Sequence, residues 1–278
     1  MTAAWWRVTF TPPLDTVDAV AGAIVTATGA GVEEPAAGTL ITVLESESEA
    51  RDLIERIAEA FPGTGAACST APSIDWSTRW RDGIVTRHFG RLVVTPSWLP
   101  VELEGDEAVI TIDPESAFGS GEHGSTRGAL TLLERHLCRD DRVLDLGSGS
   151  GILAIGATVL GARSAIGIEI DELSIPIAEA NAARNCGEAA VSFLTGDAAM
   201  LAELAGPAEV ICSNILRTVN VTLLPAIARA LAPGGTVIFA GMEEREAPLF
   251  EPVLGSHGFA IVDVAVDAAW WSVAVRRQ

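Results

Sequence analysis

Basic residues are in short supply, and that shortage narrows the function more than any other absence. Lys and Arg together number 18 against 37 Asp and Glu, a formal net charge of -19 over 278 residues at pH 7. Binding to a nucleic-acid duplex needs a basic face to neutralise phosphates, so that class is disfavoured and no direct nucleic-acid partner is expected. The acidity would steer a basic partner toward the protein, or it serves only to keep the chain soluble. Cysteine is also sparse: Cys68, Cys138, Cys186 and Cys212 stand apart, with no Cys-x-x-Cys pair and no histidine nearby at ligand spacing. That pattern predicts reduced thiols in a cytoplasmic protein and no metal site. No stretch supplies the ~18 uninterrupted apolar residues of a membrane span; the richest candidate, 143–160, is broken by Asp145 and a cluster of glycines. The opening Met1-Thr2-Ala3-Ala4-Trp5-Trp6-Arg7 lacks a basic region followed by a long apolar core, so no secretory signal is expected. Neither internal repeats nor low-complexity tracts occur. With 49% hydrophobic residues the composition is ample for a packed core, and the length suits one large or two modest domains.

Against these absences one segment stands out. Val143-Leu144-Asp145-Leu146-Gly147-Ser148-Gly149-Ser150-Gly151-Ile152-Leu153 reads as an apolar strand, a glycine turn and the start of a helix. Glycine lacks Cβ, so the backbone there can turn sharply and approach a ligand closely. The dinucleotide fingerprint is G-x-G-x-x-G, whereas this pattern is G-x-G-x-G with Ile152 following. That form suits a small adenosyl ligand over the turn rather than a pyrophosphate, and a nicotinamide dehydrogenase fits it poorly. The next strand, 164–169, ends in Glu169, about 20 residues beyond the turn, where a carboxylate can accept both hydroxyl protons of a ribose. A tight turn without a ligand is the plain alternative; the flanking strand and helix and the spacing of Glu169 argue against it.

Strand and helix patterns alternate through the rest of the chain. Residues 173–184 read as a helix with Pro176 in its opening turn, 191–194 and 209–213 as strands, and 219–231 as a helix stopped by Pro233-Gly234-Gly235. Strand 236–240, helix 247–257 and strands 260–266 and 270–275 follow. Such alternation implies a mostly parallel sheet covered on both faces. The first 70 residues differ. They show a strand at 5–10, a helix at 14–28 opened by Pro12-Pro13, and short strands near 31–34 and 39–44. An amphipathic helix at 47–61 carries Leu53, Ile54, Ile57, Ala58 and Phe61 on its apolar stripe. That order is a small β-α-β-β-α-β domain of ferredoxin-like type. The expected organisation is a ferredoxin-like α+β domain at 1–70, a linker region at 71–100 and an α/β domain with a Rossmann-like doubly wound sheet at 101–278. Trp76 and Trp80, at helical spacing within 75–81, are expected to pack a linker helix; stacking on nucleic acid is the sharper alternative, which the acidic balance disfavours.

A second glycine-rich loop runs from Asp113 to Thr126 through Gly119, Gly121 and Gly124, into a helix at 126–137 that Ser125 or Thr126 can cap. Such loops can cover a ligand or merely connect elements. His123 invites a general-base assignment, although a lone loop histidine is more often a hydrogen-bonding strut. Ser213-Asn214-Ile215-Leu216 follows the fourth strand of the second domain. Ligands of doubly wound sheets sit outside the carboxyl ends of the strands, which puts Asn214 near Gly147 and Glu169. Its neutral amide can accept a hydrogen bond from an amine without holding that amine as a cation; a turn asparagine is the alternative. Asp197, after the third strand, can face an adenine amino group or be a solvated turn residue.

Together these segments resemble one family, the methyltransferases that modify large-subunit ribosomal protein eleven (PrmA-type). The likeness runs nearly the full length. It includes Asp75-Trp76 with Trp80, Pro96-Ser97-Trp98, and Asp113-Pro114 through Ala117-Phe118-Gly119-x-Gly121-x-His123. It continues through Asp145-x-Gly147-x-Gly149-x-Gly151-Ile152-Leu153-Ala154-Ile155 and Asn214-Ile215-Leu216. The resemblance implies a class I methyltransferase domain using S-adenosyl-L-methionine to methylate lysine and/or N-terminal amines of that ribosomal protein. It also implies a separate N-terminal domain recognising the free, basic substrate protein, with no membrane partner. By position it makes Thr126, Gly147, Glu169 and Asn214 the donor-binding set, to which the local reading adds Gly149 and Asp197; Asn214 would also orient the acceptor amine. The chain departs from the family pattern at Glu169, where aspartate is usual, at Ser120 and Ser125 for threonine, at Gly124 for proline and at Ser213 for alanine. A same-fold methyltransferase acting on another protein or a small amine, and a non-catalytic binding module, are the rival readings.

Overall fold

In a computed structural model the chain is described at residues 5–29, 31–71, 84–113, 117–186 and 190–278. The linker helix expected around Trp76 and Trp80, and residues 114–116 of the second glycine-rich loop, lie outside the described residues. The chain divides into two compact units, Met1–Gly83 and Ile84–Gln278.

In the first unit the chain runs β1 (Trp5–Thr11), α1 (Val17–Thr28), β2 (Glu33–Ala36), β3 (Thr39–Leu44), α2 (Glu47–Ala60) and β4 (Gly65–Ala71). The strands lie in the order β2-β3-β1-β4, every pair antiparallel, which is the ferredoxin-like arrangement. Alternation along the strands sends Val8 and Phe10 of β1 and Leu40 and Leu44 of β3 to one face. There they meet Val20 and Ile24 of α1 and Leu53 and Ile57 of α2. Ser46 starts α2 by accepting the Glu49 N–H at 3.2 Å. Ala58 is exposed rather than part of the apolar stripe. One residue past Ile57 turns about 100° around the helix, away from the sheet.

The second unit begins with β5 (Arg87–Phe89), β6 (Leu92–Thr95) and β7 (Ala108–Thr111), a small sheet of its own. Two of these strands fall within the stretch expected to be linker. At three and four residues they are too short to carry a readable period, yet Phe89, Leu92 and Val94 are buried in the core. After them come α3 (Gly124–His136), β8 (Arg142–Leu146), α4 (Ile152–Val159), β9 (Ser164–Glu169), α5 (Ile175–Asn185) and β10 (Val191–Thr195). The chain finishes with α6 (Ala198–Ala205), β11 (Ala208–Asn214), α7 (Arg217–Ala230), β12 (Leu231–Glu243), α8 (Ala247–Ser256), β13 (Phe259–Asp267) and β14 (Trp270–Arg277). The seven strands take the order β10-β9-β8-β11-β12-β14-β13, parallel through β12, with β14 antiparallel to both its neighbours. Pro233-Gly234-Gly235 does not separate helix from strand as expected. It lies inside β12, where pairing with β11 jumps from Ala208–Leu231 to Val210–Thr236. The helix stops at Ala230, before it.

Two cores cover the two faces of this sheet. Val143, Val210, Cys212, Ile238 and Ala274 point to the side covered by α3 and α4. Leu144, Ile211, Val237, Phe239 and Val273 point to the side covered by α7 and α8. On that side Phe250 of α8 is fully buried, edge-on to Phe239 with ring centroids 5.2 Å apart and to Trp271 at 6.5 Å. Phe250→Ala is expected to cost about 3–5 kcal/mol of unfolding free energy through lost burial and a residual cavity. A denaturant melt would check this, and a loss below about 1 kcal/mol would contradict the packing described.

Candidate active site

The sheet changes winding direction between β8 and β11, which open a crevice beyond their carboxyl ends. In β8 alternation turns Leu144 and Leu146 toward the α7 side and Val143 toward the α4 side. Asp145 shares the face of Val143, and its Oδ2 accepts the Ala154 N–H of α4 at 3.2 Å. This acidic residue is therefore a buried anchor between strand and helix. Its Oδ1, and the Ser148 hydroxyl in the turn that follows, have no hydrogen-bond partner among the described residues. Burial pushes the Asp145 carboxyl up to about 7; the Ala154 N–H opposes that rise and the nearby charge of Glu169 adds to it.

The turn itself depends on missing side chains. Gly147 and Gly149 hold φ of 75° and 50°, in the left-handed region. A Cβ on Gly149 would sit 2.5 Å from the Phe118 carbonyl, and one on Gly147 would sit 2.6 Å from Ile215 Cγ2. The second glycine-rich loop is fastened to this turn: Ser150 donates its N–H to Phe118 O at 2.9 Å and its hydroxyl to Gly119 O at 2.6 Å. From α5, Asn181 donates to Ser150 O at 3.0 Å. Glu169, at the end of β9, accepts the Gly149 N–H through Oε2 at 2.9 Å and the Asp171 N–H through Oε1 at 3.0 Å. Each carboxylate oxygen keeps a lone pair for a further donor.

The opposite wall comes from β11, α3 and the β13–β14 hairpin. Asn214 donates through Nδ2 to Thr126 Oγ1 at 3.3 Å, and its enclosed Oδ1 has no partner among the described residues. Ser125 and Thr126 lie inside α3 instead of capping it. The helix starts at Gly124, and its capping position belongs to His123, which makes no side-chain capping bond. His123 Nδ1 is paired with Ser125 Oγ at 2.8 Å, and its ring lies 4.2 Å from Trp270 and 5.2 Å from Phe118, centroid to centroid. Burial, with the nearby Arg127 charge, holds the imidazole below its ordinary range, which favours the neutral form. Asp197 caps α6, its Oδ1 accepting the Ala199 N–H at 2.8 Å.

The crevice has a volume of about 750 Å³, in the range of small-molecule sites. It brings together Gly147, Gly149, Glu169, Asp197 and Asn214; Thr126 stands behind Asn214 and reaches the crevice through it. One end is acidic, with Glu169, Asp171 and Asp197, and the other is apolar, with Phe118, Leu216, Val219 and Trp270. Trp270 was not foreseen: 147 to 270 is a long separation, and its place depends on a hairpin closing over α3. Ile170, 75% exposed beside Glu169, was also missed; a bulky apolar residue directly after the acid was the available signal.

Strand order, glycine turn and crevice define a class I methyltransferase domain. Residues 22–278 match the family model described as "Ribosomal protein L11 methyltransferase (PrmA)". A relative of that name from Geobacter sulfurreducens is 38% identical over 261 residues, covering 89% of this chain and 85% of its own. Another, from Pelotomaculum thermopropionicum, is 36% identical over 245 residues, covering 87% and 77%. The crystal structure of ribosomal protein L11 methylase from Lactobacillus delbrueckii subsp. bulgaricus is similar with a TM-score of 0.62 and 30% identity, over 69% of this chain and 98% of that one. The chain belongs to the ribosomal protein L11 methyltransferase family.

Asp145 yields a pH prediction. Its folded pKa lies above the unfolded value of 3.8, so its cost is absent below that value and grows as pH rises toward about 7. Wild-type stability should therefore fall relative to Asp145→Asn between about pH 4 and pH 7, by a few kcal/mol at most. Chemical denaturation of both proteins across that range checks it. A difference independent of pH would contradict the raised carboxyl.

Proposed function

We propose that this protein methylates lysine and/or N-terminal amines of ribosomal protein L11 in the cytoplasm, with S-adenosyl-L-methionine as donor. The observation that carries the reading is one crevice joining a glycine turn and Glu169 to an enclosed, unpaired amide oxygen on Asn214. The residues present fit the donor. Gly147 and Gly149 carry no Cβ to block an adenosyl group, Glu169 has lone pairs for the ribose hydroxyls, and Asp197 keeps Oδ2 for the adenine amine. Gly147 and Gly149 provide the close approach, and Thr126 holds Asn214. When bound, the donor supplies a sulfonium methyl already activated for displacement, the N–C bond forming as the C–S electron pair returns to sulfur.

The protein must present a neutral amine in line with that methyl. For a lysine of pKa about 10.4, losing the proton at pH 7 costs roughly 4–5 kcal/mol; for an α-amine near 7.8, about 1 kcal/mol. The apolar wall of Phe118, Leu216, Val219 and Trp270 lowers that cost by disfavouring the ammonium form. Asn214 Oδ1 accepts an N–H of the neutral amine and fixes the direction of its lone pair. The proton departs to water, so no dedicated base is needed. His123 acts as a strut, its Nδ1 already engaged by Ser125. The N-terminal unit recognises the free substrate protein, whose basic character suits a chain of charge -19.

Glu169→Ala is expected to weaken donor binding about 10- to 100-fold, the worth of hydrogen bonds to a charged group. Calorimetry measures this, and unchanged affinity would remove Glu169 from the donor site. His123→Ala should retain most of the turnover; a loss beyond about a thousandfold with donor binding intact would assign it a proton role. The activity itself is tested by mass spectrometry of purified L11 after incubation with protein and donor. Because the chain contains no lysine, its own side chains offer no competing lysine acceptor. Methyl increments on L11 amines support the reading; methylation confined to another protein or a small amine would replace the substrate.

A further inference from the structure

Strand alternation separates two adjacent residues at the rim of the crevice. Asn214 turns toward Thr126 of α3, while Ser213 turns toward α7, where it meets Asn220. Asn220 is fully buried, an amide on a helix face otherwise made of Leu223, Leu224 and Ile227. Its Nδ2 donates to Ile215 O at 3.1 Å and to Ala240 O at 3.2 Å. Carbonyl oxygens only accept, so the nitrogen must face them and Oδ1 must face Ser213. The Ser213 hydroxyl therefore donates to Asn220 Oδ1, at 2.7 Å.

Every polar group of that amide is spent around a single residue. Ser213 and Ile215 flank Asn214 in sequence, and Ala240 is its cross-strand partner on β12. Among the described residues one long bond, 3.3 Å to Thr126, holds the Asn214 side chain itself. The backbone that aims it is held by Asn220. An alanine at position 213 would leave the buried Asn220 Oδ1 without its donor.

We propose that Ser213 and Asn220 form a clamp that sets the reactive position of the Asn214 amide, making both positioning residues for methyl transfer. The inference rests on Asn214 orienting the acceptor amine. Its test uses Ser213→Ala, Ser213→Thr, Asn220→Leu and Asn214→Ala, with Ser213→Ala and Asn220→Leu also combined with Asn214→Ala. The readouts are donor affinity by calorimetry, kcat on purified L11 at saturating donor, and thermal midpoint. Ser213→Ala should lower kcat about tenfold and Asn220→Leu up to about a hundredfold, the scale expected for a misplaced reacting group. Donor affinity should change less than kcat in each clamp variant, since the glycine turn and Glu169 are untouched. Ser213→Thr, which keeps the hydroxyl, should retain most of the turnover, and neither loss should persist on top of Asn214→Ala. A purely packing role would lower the thermal midpoint without this dependence on Asn214. Impaired Asn214→Ala beside folded clamp variants of wild-type kcat would overturn the clamp, as would losses undiminished in the combined variants. Wild-type turnover by Asn214→Ala would instead overturn the role of Asn214, and the clamp with it. If Asn220→Leu no longer binds donor, the Ser213 variants decide the question alone.

Discussion

Successive residues of a strand face opposite ways, and at the open ends of β8 and β11 this constraint organises the whole site. It sends Asp145 toward α4, where one carboxylate oxygen fixes the start of the helix that follows the glycine turn. It sends Asn214 toward α3 and Ser213 toward α7, so that neighbouring residues take different work. A shift of one residue in the register of either strand would exchange these faces and bury the Asn214 amide in the wrong core. The two cores on either side hold the register in place.

Three of the six buried side-chain polar atoms that lack a partner among the described residues lie here. Asp145 Oδ1, Ser148 Oγ and Asn214 Oδ1, at or beside the glycine turn and the crevice, are enclosed without partners among the described residues. Buried polar atoms in native proteins are normally satisfied, and each exception costs stability. That cost falls in a region where a bound ligand and an incoming amine can supply the missing partners. The acidic end of the crevice and its apolar end divide the labour. One suits hydroxyls and an adenine amine; the other would strip water from an incoming acceptor.

Much of this was legible in the residues. The G-x-G-x-G turn with its strand, helix and spaced Glu169 is a local signal, and the structure places those parts around one crevice. The β-α-β-β-α-β order of the first unit followed from periodicity and turn residues. What escaped was either too short or too distant to leave a local trace. Strands β5 and β6 have no readable period, and Trp270 reaches the crevice only because β13 and β14 fold back over α3. Asn220 did leave a trace, a lone amide on an otherwise apolar helix face, but its meaning required knowing which carbonyls lay opposite. Pro233-Gly234-Gly235 stood as a break between elements and proved to be an irregularity within one long strand.

Methyl transfer as proposed needs the crevice to hold an adenosyl donor with its reactive carbon turned to Asn214. A crystal structure with S-adenosyl-L-homocysteine, the product form of that donor, is the most direct measurement. Expected are ribose hydroxyls on Glu169, the adenosyl group over Gly147 and Gly149, and the sulfur facing the Asn214 amide across the apolar wall. An empty crevice at saturating ligand, or a sulfur turned away from Asn214, would contradict it.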